Sequence, residues 1–133
     1  MRTTGITKDM KYKEVIVKID KVDTSADAVS KTMDVFVRPP MEELICAYIQ
    51  VLENWDTAGT CTAQLGRLND DDAFITEASV KTQGLLKTKG TDFDSFVIVP
   101  DQQTITLKMT SQNNLNTATK GVLEVHLITR KVI

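Results

Sequence analysis

The sequence predicts an all-β chain, an antiparallel β-sandwich with a jelly-roll-like layout, and three observations predict it. Apolar and polar residues alternate with a period of two in several runs, as in strands with one buried and one solvated face. Those runs are rich in Val and Thr, which favour pleated, half-buried backbone. Turn residues recur at regular intervals: Pro39-Pro40, Asp56 to Gly59, Asn69 to Asp72, Gly84, Gly90, Pro100-Asp101 and SQNNLN before Gly121. Short strands with that punctuation point to a sandwich or jelly roll.

Taken in order, residues 1–11 are polar and read as a flexible N-terminal arm, leaving residues 12–133 as a single β-sandwich domain. Val15, Val17 and Ile19 alternate with Glu14 and Lys18, a strand. Asp20 to Lys31 (DKVDTSADAVSK) is a polar connection with room for one helical turn. Val35 and Val37 alternate around Asp34 and Phe36. The segment from Met41 to Trp55 is ambiguous. Leu44, Tyr48, Val51 and Trp55 share a helical stripe, two prolines precede it, and Glu42 and Glu43 suit a first turn. Its Ile, Val, Tyr and Cys content equally suits a central strand that is apolar on both faces. DTAG (Asp56 to Gly59) then reads as a turn, and LGRLNDDDAFITEA as a strand end, an acidic loop and a return to the core. In TITLKMT, Ile105, Leu107 and Met109 share one face; in VLEVHLITR, Leu123, Val125 and Leu127 face inward, with Glu124, His126 and Arg130 outward.

A chain of 133 residues with 41% hydrophobic content is large enough to bury a core without metal or disulfide staples. The formal net charge is −2 with no Lys/Arg block, which argues against nucleic-acid binding. No apolar run approaches the roughly 20 residues that span a bilayer, so no membrane partner is expected. The polar MRTTGITKDMKYKE has no signal-peptide core. Cys46 and Cys61 allow one disulfide at most; with DTAG as a hairpin turn their pairing is geometrically poor, and buried free thiols are expected.

Candidate chemistry is thin. Asn69 and Asp70 to Asp72 are the best metal candidate, because calcium takes six to eight oxygen ligands. Adjacent aspartates diverge, however, and the EF-hand spacing is absent, so a solvated turn is the simpler reading and no metal site is assigned. His126 is the only histidine, expected as a surface or interface residue lacking the partners of a general base. One histidine and two cysteines without CxxC spacing build no zinc site. There is no GxSxG, and the six glycines are scattered rather than gathered into a phosphate loop. Glu42, Glu43 and Glu53 read as exposed charges near strand ends rather than paired catalytic carboxylates. Trp55 reads as a core cap or as a binding hot spot, with core favoured by the usual burial of Trp. No catalytic residue, cofactor-binding residue or cofactor is assigned, and the chain is not expected to be an enzyme.

A series of motifs adds to this. Pro39-Pro40 precedes the long apolar LICAYIQVLENW, DTAGT follows, then Leu65-Gly66 with Asp70 to Asp72 and Phe74, then Thr104 to Leu107, NNLN and Gly121 to Val125. From about Pro39 to Thr129 this succession resembles the small β-sandwich structural proteins of tailed-phage virions, of the capsid-decoration or head-fibre type. Arg67, where an acidic residue is common, and the charged MEE before the long strand depart from the pattern and weaken any ligand claim at the loop. The resemblance implies a strand over Met41 to Trp55. It also implies a structural virion protein, made in the host cytoplasm, that binds and stabilises the shell. Its partners would be itself, as a homo-oligomer and most plausibly a trimer, and the major capsid or other virion proteins. The alternative is a receptor- or carbohydrate-binding domain of a phage fibre or tail, which the low aromatic content of 5% disfavours.

Overall fold

The structure is a computed structural model and describes residues 1–8, 12–87 and 101–131. Gly90 and Pro100, two of the expected turn residues, lie outside the described residues. The strands are β1 (Arg2–Lys8), β2 (Tyr12–Asp20), β3 (Ser30–Arg38), β4 (Glu42–Glu53), β5 (Cys61–Arg67), β6 (Asp70–Ser79), β7 (Gly84–Lys87), β8 (Gln103–Ser111) and β9 (Val122–Lys131). One helical turn, α1 (Lys21–Thr24), follows β2, and a short 3-10 turn spans Leu115–Thr117. A five-stranded sheet runs β1-β2-β9-β4-β7 and a four-stranded sheet runs β3-β8-β5-β6. Every neighbouring pair is antiparallel. The expected all-β antiparallel sandwich is what forms.

The core lies between the two inner faces. Val15, Val17 and Ile19 of β2, Leu123, Val125 and Leu127 of β9, and Leu44, Ala47, Ile49 and Val51 of β4 meet Ile105, Leu107 and Met109 of β8 and Cys61, Ala63 and Leu65 of β5. Strict alternation in β2, β8 and β9 puts these side chains on one face, as the sequence requires. Strand β9 is central in its sheet, bonded to β2 from Tyr12↔Arg130 to Asp20↔Val122 and to β4 from Glu42↔Lys131 to Glu53↔Val122.

The ambiguous segment is strand β4, and its ambiguity has a physical cause. The register against β9 shifts between Leu44 and Cys46 and again between Val51 and Glu53. The first bulge turns a spacing of two into three, so the buried Leu44 is followed by Ala47, then Ile49 and Val51. A strand with such an irregularity imitates the three-and-four spacing of a helix.

Two expectations are corrected. DTAG is not a hairpin turn: it carries the chain from β4 in one sheet to β5 in the other. Cys46 and Cys61 therefore sit in different sheets, and both are free thiols. The second correction concerns the N-terminus. Arg2–Lys8, read as arm, pairs along β2 from Arg2↔Lys18 to Lys8↔Lys13, with an irregularity between Thr3 and Gly5. The open edge of β2 offers unpaired backbone groups, and a Thr- and Ile-containing segment satisfies them without any alternating apolar pattern. Residues 9–11 of the expected arm lie outside the described residues.

Local contacts close the ends of the sandwich. Asp20 caps α1 by accepting from the Val22 and Asp23 amides at 2.9 and 3.1 Å, while Asp23 accepts from the Asp20 amide at 2.9 Å. This reciprocal box fixes the single helical turn that the polar connection had room for. At the other end, the buried Arg38 donates to the carbonyls of Pro39 (3.2 Å), Glu42 and Asp101 (3.2 Å), tying the Pro39-Pro40 corner to the segment entering β8.

Candidate functional site

The acidic run is placed differently from its reading. Leu68 and Asn69 alone make the turn between β5 and β6, with Arg67 paired to Asp70, and Asp70 to Asp72 already belong to β6. Asn69 has a φ of 70°, a left-handed conformation that Asn tolerates better than most residues. Gly66 makes the hairpin possible. A Cβ there would lie 2.1 Å from the Asp70 carbonyl oxygen and 2.3 Å from the Asp71 carbonyl carbon. In strand geometry successive side chains diverge, and Asp71 reaches sideways to the Lys108 ammonium at 3.4 Å. Among the described residues, no group of three or more His, Cys, Asp or Glu side chains could hold a metal ion.

His126 is on the outer face of β9, as read, but it is not a surface residue: only 7% of it is exposed. The Tyr48 ring of β4 stacks on it, centroids 4.4 Å apart and planes at 11°. Glu124 Oε1 lies 3.2 Å from its Nε2 and Glu14 Oε1 of β2 lies 3.6 Å from its Nδ1. The sequence reading missed Glu14 and Tyr48, because only strand pairing places β2 and β4 on either side of β9. Burial first, then the charges of Glu14, Cys46 and Glu124, hold the Tyr48 phenol above its ordinary range.

Trp55 is core. It is 1% exposed, and its indole N–H donates to the Thr24 hydroxyl at 3.1 Å. Gly121 lies against its ring, where a Cβ would sit 2.5 Å from the indole carbons. Cys61 is buried beside a hydroxyl pair, Ser111 Oγ donating to Thr57 Oγ1 at 3.0 Å, and burial pushes its thiol up. The three glutamates are engaged separately rather than as a catalytic pair. Glu42 meets the Lys13 ammonium at 3.3 Å, the buried Glu43 pairs with Arg130, and Glu53 accepts from the Gly121 amide at 3.1 Å.

One surface concavity gathers polar groups from three connections. A cleft of about 550 Å³ at one end of the sandwich is lined by Val29, Asp56, Ala58, Gln112, Asn113, Asn114 and Thr117. Its walls are braced: Asn113 donates to the Ala58 carbonyl at 2.9 Å and Asn114 to Asp27 at 3.0 Å. Asp56 accepts from the Thr119 hydroxyl and from the Thr119 and Lys120 amides at 2.7 and 3.1 Å. The Thr119 hydroxyl foremost, then these amides, lower the Asp56 carboxyl to about 2 against the opposing effect of desolvation. Nothing in the sequence pattern marked this cleft, because its residues come from three separate connections.

No family model matches the sequence, and no curated protein does. Solved structures do. A chain of the cyanophage Pam1 capsid asymmetric unit superposes with a TM-score of 0.64 at 13% identity, over 98% of this chain and 94% of that one. A chain of the Ralstonia phage GP4 capsid gives 0.62 at 14% identity, over 98% and 86%. A chain of the acid-stable capsid of Helicobacter pylori bacteriophage KHP30 gives 0.60 at 8% identity, over 90% and 89%. At these identities the likeness is one of fold, and this chain shares its β-sandwich along nearly its whole length with chains of three phage capsids.

Proposed function

We propose that this chain is a structural phage virion protein, a capsid-decorating or auxiliary subunit that binds and stabilises the shell through protein–protein contacts. The observation that carries this reading is the extent of the fold likeness: 98% of this chain matches 94% of a chain from a phage capsid. The strand order supports a jelly roll, since β2-β9-β4-β7 faces β3-β8-β5-β6, with β1 added at one edge. Catalysis has no support among the described residues: His126 is buried among carboxylates and stacked on Tyr48 rather than directed at a nucleophile.

In this reading the subunit resides in the virion and assembles with copies of itself, as a trimer, and with the major capsid or other virion proteins. Repetition over a shell supplies avidity to contacts that are individually weak. Arg2–Lys8 takes part as an exchangeable segment, since β1 lies at the sheet edge with β2 as its strand neighbour. Net charge of −2 disfavours contact with the packaged nucleic acid. Cryo-electron microscopy of the intact particle tests the proposal. Density for this sandwich on the outer shell at a symmetry axis is expected, and particles lacking the chain altogether overturn it.

A second reading, a receptor- or carbohydrate-binding domain of a phage fibre or tail, is favoured by one observation. The braced cleft presents three carboxamides and Asp56 around an exposed Val29. A glycan array separates the two readings: binding lost in Asn113→Ala supports the fibre domain, and no binding to any glycan removes it.

A further inference from the structure

The surroundings of His126 carry an inference that goes beyond any virion role. A neutral imidazole has one N–H and one lone pair. The contact of 3.2 Å between Nε2 and Glu124 is a hydrogen bond only if Nε2 carries the hydrogen. Nδ1 then turns its lone pair toward the Glu14 carboxylate at 3.6 Å, acceptor against acceptor. Consistently, Nδ1 is buried and has no hydrogen-bond partner. The opposite tautomer moves the mismatch to Glu124. Only the imidazolium, with two N–H donors, satisfies both carboxylates at once.

Among the described residues, the other charged and titratable groups on this face leave the mismatch in place. On β2, Lys18 is opposite Glu124 in register. On β9, Arg130 is paired with Glu43. On β4, Tyr48 stacks on the ring, and Cys46 is half-buried one outward position away.

We propose that His126 is a proton-operated clamp across the three central strands of the five-stranded sheet. With the imidazolium present, Nδ1–H donates to Glu14 of β2 and Nε2–H to Glu124 of β9, while the ring rests on Tyr48 of β4. Loss of the proton releases Glu14 and loosens β2 against β9, with the core side of the sheet unchanged.

Nuclear magnetic resonance of the intact chain tests this with two readings over a titration from about pH 8 to about pH 5, the range histidines commonly span. The first is the state of the His126 ring nitrogens. The second is amide exchange at Glu14 to Val17, corrected for intrinsic exchange. A second N–H on the ring is expected to form at the acidic end, together with a gain of roughly 5-fold in protection, the size of one partly exposed charged contact. Glu14→Gln is expected to abolish the acid-dependent gain while leaving the fold intact, and His126→Gln to abolish it independently. Unchanged protection in the wild-type chain, or the same gain in both variants, overturns the clamp. Because the reading uses the isolated chain, its failure leaves the virion proposal untouched.

Discussion

The two sheets present matching inner faces and contrasting outer faces. Inside, each contributes fully buried aliphatics, Ile49 and Val125 from one and Leu107 and Leu65 from the other. Outside, the five-stranded sheet carries long side chains that cover one another: Glu14, Tyr48, Glu124 and His126 form a cluster dense enough to bury the imidazole. The four-stranded sheet carries a run of short outward residues, Thr32, Thr62, Thr104, Thr106 and Thr110, and among its charged residues Lys108 and Asp71 pair. Its pairings align short residues in rows, such as Ser30↔Thr110 and Thr62↔Ser79. Short β-branched residues satisfy strand propensity with little side-chain reach, whereas longer charged and aromatic side chains cover their neighbours across strands.

The comparison is sharpest where the two inner faces are truncated. Ile49→Ala and Leu107→Ala are each expected to cost about 2–5 kcal/mol in urea unfolding, because both side chains are fully buried in the shared core. A cost under 1 kcal/mol for either would show that its sheet does not share that core. Gly66→Ala is expected to cost about 2–3 kcal/mol, since a Cβ there meets the backbone of Asp70 and Asp71 rather than a movable side chain. Equal melting temperatures for this variant and wild type would contradict the hairpin geometry.

Acid should act on the end of the sandwich through Asp56. Its carboxyl is depressed from 3.8 to about 2, so the stability it contributes is present above its unfolded value and is lost as pH falls through the folded one. Melting temperatures of wild type and Asp56→Asn are therefore expected to converge between about pH 4 and pH 2. Parallel curves would remove the Thr119 and Lys120 contacts from the account.

Thr106→Val tests the outer face of the four-stranded sheet. The Thr106 hydroxyl is buried without a hydrogen-bond partner, so replacing it by a methyl is expected to be neutral or to stabilise by up to about 1 kcal/mol. A loss above 1 kcal/mol would mean the hydroxyl is satisfied after all. Asp71→Ala is expected to have the smallest effect, about half a kcal/mol or less, because its pairing with Lys108 is nearly half exposed. Addition of calcium or a chelator should leave the melting temperature unchanged, and a large shift with calcium would restore Asp70 to Asp72 as a binding site.

Strands β2, β8 and β9 were legible because nothing interrupts their alternation, and Trp55 because a lone Trp beside an apolar run seldom stays in solvent. Strand β4 was not legible from its own pattern, since a bulge at Leu44 to Cys46 disguises the period. DTAG looked like a hairpin turn because turn chemistry reports that the chain bends, not which sheet it enters next. The end cleft had no signal, being assembled from residues as distant as Val29 and Thr117.

By itself the sequence determined the fold class, the inward residues of the regular strands, the helical turn after β2 and the absence of familiar catalytic spacing. These follow from local periodicity and backbone preference, which each segment carries alone. Tertiary structure decided that Arg2–Lys8 joins a sheet edge, that Asp70 to Asp72 belong to a strand, and that His126 is buried between two carboxylates. Those outcomes depend on which strands become neighbours. Glu14 and His126 are 112 positions apart, and only the pairing of β2 with β9 brings their side chains to one place.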